Sequence, residues 1–409
     1  MSVAPSFAVQ RPLLTAFALS LGAAVSLGLT RFSFALLLPP MRADLAWSYT
    51  LAGGMNTGNA LGYLIGALFT PFLMRRIGTQ KTLLIGSLLA AIFMIWSGFE
   101  LADSMLMAQR VLAGIASAFV FVAGGVLAAR LGSLHPQRAG LLIGLYYSGV
   151  GIGIALSALV VPPTIALAAT AGAAHAWQWA WLILGALCLI ATALMAGPTS
   201  SISATSNLGS SGNSQFRLRP FGYSLAAYFM FGVGYIGYMT FIIALLKEQG
   251  MRTSMTTLFF IMLGLAVVAS SRIWARMLDH FRGGESLALL SALLGVAILL
   301  PALSRAPLLS FISGILFGAV FLSLVASTTA LVRHNLPPVA WSAGISVFTV
   351  IFAFGQIVGP TIVGWIADGS GGLERGFLYS SGALFVGALL AWRQRPLLTM
   401  SATSLASPT

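Results

Sequence analysis

Long apolar runs broken by short polar stretches dominate the chain. Taking about 20 consecutive apolar residues as the length that crosses a bilayer, the runs fall near 13–38, 49–73, 82–102, 105–131, 140–162, 177–197, 221–246, 254–278, 286–304, 307–332, 341–366 and 376–394. This pattern predicts an all-α membrane protein of twelve transmembrane helices. The connections are short and carry the polar residues, as in Arg75-Arg76-Ile-Gly-Thr-Gln-Lys81, His135-Pro-Gln-Arg138 and Lys247-Glu-Gln-Gly250. The first run outlasts the apolar core of a secretory signal and is expected to stay in place as a spanning helix.

One polar segment is longer than the rest. Pro198 to Gln215 is rich in Ser, Gly and Asn, the composition of a flexible linker. It predicts a short tail at 1–12, a six-helix bundle at 13–197, a linker at 198–220, a second six-helix bundle at 221–395 and a tail at 396–409. The halves are near-equal in length, as internal duplication produces. Residue-level similarity between them is faint: Arg110-Val-Leu-Ala-Gly114 falls against Ser310-Phe-Ile-Ser-Gly314, and Ala139-Gly140 against Ala343-Gly344.

Composition agrees with the pattern. The chain is 58% hydrophobic and 7% charged, with a mean hydropathy of +0.95; soluble domains are roughly 25% charged. Basic residues collect on the cytoplasmic side of membrane proteins. With the N-terminus inside, 14 of the 21 Lys and Arg residues flank helices on the cytoplasmic side. Both termini are therefore expected in the cytoplasm. The net charge of +13 is this asymmetry spread over many loops, so nucleic acid is not an expected partner. The single Cys188 lies in an apolar run and permits no internal disulfide.

Arg110-Val-Leu-Ala-Gly114 resembles the helix-4 Arg-x-x-x-Gly motif of the major facilitator superfamily (MFS). Gly355-Gln-Ile-Val-Gly-Pro-Thr-Ile-Val-Gly364 with Ala367-Asp368 resembles its helix-11 pattern. Gly28-Leu-Thr-Arg-Phe-Ser-Phe-Ala-Leu-Leu-Leu-Pro-Pro-Met41 and Ala52-Gly-Gly-Met-Asn-Thr-Gly-Asn-Ala-Leu-Gly-Tyr-Leu-Ile-Gly-Ala67 are similar to its bacterial YbfB-type branch. The resemblance implies the MFS fold, a transporter working by alternating access in the bacterial inner membrane, and a central path lined by helices 1, 4, 7 and 10. It implies no particular substrate. The loop between helices 2 and 3 departs from the family, because Arg75, followed by Arg76, stands where the pattern has an acid. Helix 5 also lacks the Gly-Pro pair of the antiporter motif.

Once the Lys and Arg residues near helix ends are set aside, Arg31 and Arg110 are left within the membrane, and both fall in the outer halves of their helices. All eight acids, Asp44, Glu100, Asp103, Glu248, Asp279, Glu285, Asp368 and Glu374, fall at or beyond predicted helix ends. Guanidinium groups without an internal counter-ion favour an anionic ligand, since the fork makes two parallel hydrogen bonds to a carboxylate. The competing reading is that Arg110 snorkels or bonds backbone carbonyls as a latch. Tyr228, Tyr235 and Tyr238 recur near one face of helix 7, and Asn56, Asn59 and Tyr63 along helix 2; with Gln356 in helix 11 and Tyr147 in helix 5 they complete the candidate lining. Gly54, Gly58, Gly62 and Gly66 form a stripe that admits a close helix, and Gly359-Pro360 a break of the kind that lines paths.

The expected function is transport of a small organic anion, with Arg31 and Arg110 as anchors. The alternative is an efflux permease for a hydrophobic or zwitterionic compound, recognised by aromatics. The histidines, His135, His175, His280 and His334, also map to loops or helix ends, and proton coupling through a buried carboxylate is disfavoured. No cofactor or metal ligand set is expected, nor an enzyme's nucleophile or acid/base cluster at membrane depth. The expected partners are the substrate and the lipid bilayer, and the expected state is a monomer.

Overall fold

The structure is a computed structural model that describes residues 7–202, 218–337 and 340–397. These residues form helices and loops without a β-strand. The spanning-length helices are α1 (Pro12–Asp44), α2 (Tyr49–Ile77), α3 (Thr79–Ser97), α4 (Asp103–Leu134), α5 (Ala139–Thr170) and α6 (Ala176–Ser200), then α7 (Gly222–Glu248), α8 (Thr253–His280), α9 (Glu285–Leu303), α10 (Pro307–Asn335), α11 (Trp341–Ala367) and α12 (Gly372–Trp392). Among the described residues, eleven helices are long and apolar enough to cross a membrane. The exception is α12, whose first turns carry Glu374, Arg375, Ser380 and Ser381.

The middle of the expected linker, 203–217, lies outside the described residues, as do 1–6 and 398–409 of the tails. At the linker's edges, α6 continues to Ser200 and a short turn spans Arg219–Phe221. Short helical structure also reaches into the expected N-terminal tail at Phe7–Gln10.

Helix packing repeats. Within the first half α2 packs on α4, α3 on α4 and α6, and α1 on α5. The same pairs recur six helices later: α8 on α10, α9 on α10 and α12, and α7 on α11. The repeat that is faint in side chains is thus plain in packing, because close helix contact constrains residue size more than identity. Between the halves the main pairings are α2 with α11 and α5 with α8.

The stripe on α2 turns toward its own half. Gly58 and Gly62 lie against Met107 and Val111 of α4, and Gly66 against Ile115. Another face of α2 meets the second half, where Gly53 lets the Pro360 carbonyl approach. Gly359 in turn receives α7 at Val233. Arg75 and Arg76 are exposed at the end of α2, with Arg76 5.3 Å from the Phe72 ring.

The first and last described segments lie at the same end of the bundle. The His135 ring nitrogen lies 3.2 Å from the Ala8 carbonyl, and the Leu397 amide donates to Asn335 at 2.6 Å.

Candidate functional site

Residues Ala24–Phe32 of α1 wind as a π-helix rather than an α-helix. The Thr30 hydroxyl donates to the Val25 carbonyl at 2.6 Å and the Ser33 amide to the Gly28 carbonyl at 3.1 Å, both five residues back. A π-segment is wider than an α-helix and frequently marks a functional position. Space for it comes from Gly28, which lies against Gly153 of α5.

This segment carries Arg31, 3% exposed. Its Nε and Nη2 atoms are buried without a hydrogen-bond partner. Those two nitrogens make up the side-on edge of the guanidinium, the edge that receives a carboxylate through two parallel bonds. The Tyr63 ring of α2 lies 5.9 Å from the guanidinium carbon. The Arg31 charge acts on the hydroxyls of Tyr63 and of Tyr235 on α7, and the Tyr147 hydroxyl of α5 also acts on Tyr63. One phenol from each half, Tyr63 and Tyr235, is therefore within reach of the Arg31 charge.

Arg110 faces a different environment. Its Nη1 donates to the Thr30 carbonyl at 2.9 Å, and its guanidinium carbon sits 4.6 Å from the Phe34 ring and 5.8 Å from the Trp181 ring. Asn59 donates to the Arg110 carbonyl at 3.0 Å. All of these partners belong to the first half. Nε and Nη2 of Arg110 are also buried and unpartnered, and the two arginine charges lie close enough to repel.

The remaining candidates separate into groups. Tyr228 and Tyr235 join a ladder of near-parallel rings: Tyr228 and Phe352 are 4.9 Å apart at 21°, Phe352 and Phe231 5.0 Å at 13°, Phe231 and Tyr235 4.8 Å at 28°, Tyr235 and Phe321 5.1 Å at 22°. Phe32, next to Arg31, meets this ladder edge-on at Phe321. Tyr238 does not join the arginine; its hydroxyl pairs with Ser313 at 2.8 Å and its ring stacks on Phe317 inside the second half. Asn56 donates across the halves to Thr240 at 2.5 Å. Gln356 is buried on α11. Tyr147 is 37% exposed and packs against Phe121 and Tyr146.

At the end of the bundle away from Ala8 and Leu397, hydrogen bonds tie the two halves together. Among the described residues, the hydrogen bonds that join the halves all use the first three turns of α2. Asp368, just past α11, accepts from the Tyr49 amide at 2.7 Å, the Thr50 amide at 2.8 Å and the Thr50 hydroxyl at 2.6 Å. Thr57 bonds the Ile357 carbonyl at 2.7 Å and the Thr361 hydroxyl at 2.8 Å. The Tyr49 hydroxyl donates to Glu248, and the Arg42 guanidinium lies 3.7 Å from the Tyr49 ring. A carboxylate from one half thus caps a helix N-terminus of the other, satisfying amides with no partner in their own helix. Partial burial tends to raise the Asp368 pKa, but the Thr50 and Tyr49 hydrogen bonds and the Arg42 charge outweigh it and hold the carboxyl below its ordinary value of 3.8.

Sequence reading missed Phe321 and Phe352, which look like ordinary core positions in an apolar run. It also passed over Tyr49 and Glu248, whose pairing joins residues about 200 apart.

The arrangement is that of known membrane transporters. The fold matches a bacterial homolog of the human lysosomal transporter Spinster, solved inward-facing and unoccupied, at TM-score 0.70 and 16% identity, covering 94% of this chain and 96% of that one. It matches the nucleoside transporter NupG at TM-score 0.63 and 14% identity, over 94% and 98%. It also matches the human organic anion transporter MFSD10 (TETRAN) at TM-score 0.61 and 14% identity, over 94% and 99%. No curated protein matches the sequence. The family described as uncharacterised MFS-type transporter YbfB matches residues 23–392, and the chain belongs to it. The protein is a multi-pass MFS membrane transporter, and its substrate is a small molecule.

Proposed function

We propose that this transporter moves a small organic anion by alternating access between two six-helix bundles. Twelve spans would put both termini on one side, which the excess of Lys and Arg there makes the cytoplasm of a bacterium, with the protein acting as a monomer in the inner membrane. The observation that carries the reading is the unpartnered Nε–Nη2 edge of Arg31, 3% exposed among residues of both halves. An isolated guanidinium at membrane depth costs about 3 kcal/mol or more, and no acid of this chain stands within the spans to offset it. A carboxylate brought by the substrate would do so.

Arg31 is then the anchor, and Arg110 the charge behind it that supports the π-segment. Alternating access supplies the rest. The seal at Tyr49, Thr50 and Asp368 closes the outer side, and the substrate reaches Arg31 from the cytoplasmic side. With no carboxylate or histidine in the path, transport runs as facilitated diffusion, exchange, or movement of a protonated acid.

Uptake of radiolabelled mono- and dicarboxylates into proteoliposomes tests the proposal. Saturable uptake that disappears in Arg31→Gln supports it. Undiminished uptake after replacing both Arg31 and Arg110 with Gln overturns it. The ring ladder favours a second reading, efflux of a hydrophobic compound, which resistance profiles in an efflux-deficient host would separate from the first.

A further inference from the structure

We infer that the carried anion is an aromatic carboxylate without an ammonium group; this rests on the anion reading above and narrows it. Two features of the site require different parts of one ligand. The Nε–Nη2 edge of Arg31 asks for a planar, two-oxygen anion. The neighbouring rings ask for a ring: Tyr63 lies 5.9 Å from the guanidinium carbon, and Phe32, the next residue, meets the ladder edge-on at Phe321. Tyr235 belongs to the near-parallel ladder, stacked on Phe231 at 4.8 Å and on Phe321 at 5.1 Å. Phe352, stacked on the same ladder, retains partial exposure, as does Tyr63 beside the guanidinium.

A flat ring entering beside Arg31 extends this ladder by one member in the offset-parallel geometry its rings already adopt. A saturated ring of the same size buries similar area but gains no stacking. The ammonium of an amino acid finds no carboxylate within the spans and faces the positive charges of Arg31 and Arg110. Deaminated aromatic acids are therefore favoured over aromatic amino acids.

The test compares benzoate and phenylacetate with their ring-saturated counterparts, cyclohexanecarboxylate and cyclohexylacetate, and with phenylalanine. Calorimetry on the purified full-length protein reads binding. The aromatic acids are expected to bind roughly tenfold more tightly than the saturated ones, with phenylalanine weaker than phenylacetate. Phe352→Leu, which keeps an apolar side chain, should bring the aromatic-to-saturated ratio close to one while leaving carboxylate binding in place. Arg31→Gln should abolish binding of every carboxylate. Equal binding of aromatic and saturated acids, or an unchanged ratio in Phe352→Leu, overturns the aromatic inference and leaves the anion reading standing. Failure of every carboxylate to bind or be transported overturns both.

Discussion

Arg110 donates from Nη1 to the Thr30 carbonyl at 2.9 Å, one residue before Arg31. One buried arginine thus holds the backbone that presents the other. Within the π-segment the regular backbone pattern is interrupted, and Arg110 supplies a charged donor there. A hydrogen bond from a charged group contributes roughly 1.5–3 kcal/mol, enough to set the aim of the following side chain. Phe34 and Trp181 keep the Arg110 guanidinium in place from the other side.

Arg110→Leu should therefore raise the KM for the transported anion about tenfold or more, the change that losing roughly 1.5 kcal/mol produces. The maximal rate should fall less. Arg110→Lys keeps the charge and one donor and should recover part of the affinity. Initial-rate uptake over a substrate series checks this. Loss of maximal rate with KM unchanged would refute the positioning role.

Gly28 and Gly153 bring α1 close against α5. A Cβ on Gly28 would fall 2.5 Å from the Gly153 Cα, against backbone that cannot swing aside. Overpacking of this kind costs about 1–3 kcal/mol. Gly28→Ala should accordingly lower the melting temperature of the detergent-solubilised protein. Gly140→Ala, where nothing lies within 4 Å of the added carbon, should leave it unchanged.

The apolar runs were enough to place the helices, because a bilayer demands about 20 apolar residues per span whatever the fold. They could not place the π-segment, whose i−5 bonds depend on Gly28 meeting Gly153 from a distant helix. The arginines were legible as costly charges in apolar runs. Their different roles were not, since Thr30, Phe34 and Trp181 gather around Arg110 only through tertiary packing. Tyr228, Tyr235 and Tyr238 share a face by helical spacing, yet Ser313 draws Tyr238 into the second bundle. The α2 glycine stripe was legible as a packing surface; that it packs on α4, leaving the cross-half contact to Gly53, needed the structure.

Asp368 joins α11 to the first turn of α2, so opening the sealed end requires breaking its three hydrogen bonds. A contact this exposed contributes about 1 kcal/mol, roughly a fivefold shift between sealed and open states. Asp368→Asn should raise by about that factor the reaction of Thr361→Cys with an impermeant maleimide. Native Cys188 is fully buried and adds no background. Because the Asp368 pKa is held below 3.8, its contribution is fully present above that pH and is lost only as pH falls through the lowered value. Labelling, divided by that of a free thiol at the same pH because the thiolate is the reacting species, should thus be flat from pH 7 to about pH 5. A rise within that range would exclude this carboxylate as the latch.

Arg31→Lys separates charge from geometry at the centre of the site. Lysine keeps a positive charge but offers a single ammonium in place of the paired Nε–Nη2 edge, and the two are not equivalent where a carboxylate is gripped by two bonds. Losing one charge-assisted bond of roughly 1.5–3 kcal/mol corresponds to about a 10- to 150-fold weaker complex. The variant should bind the anion that much more weakly and still transport it at high concentration. Arg31→Gln, lacking the charge, should not transport it at all. Because the wild-type guanidinium is buried with that edge unpaired, neither change breaks an internal ion pair, and both variants should melt at or above the wild-type temperature. A large drop in melting temperature in both would show that Arg31 serves the fold, and the anion site would have to be sought elsewhere.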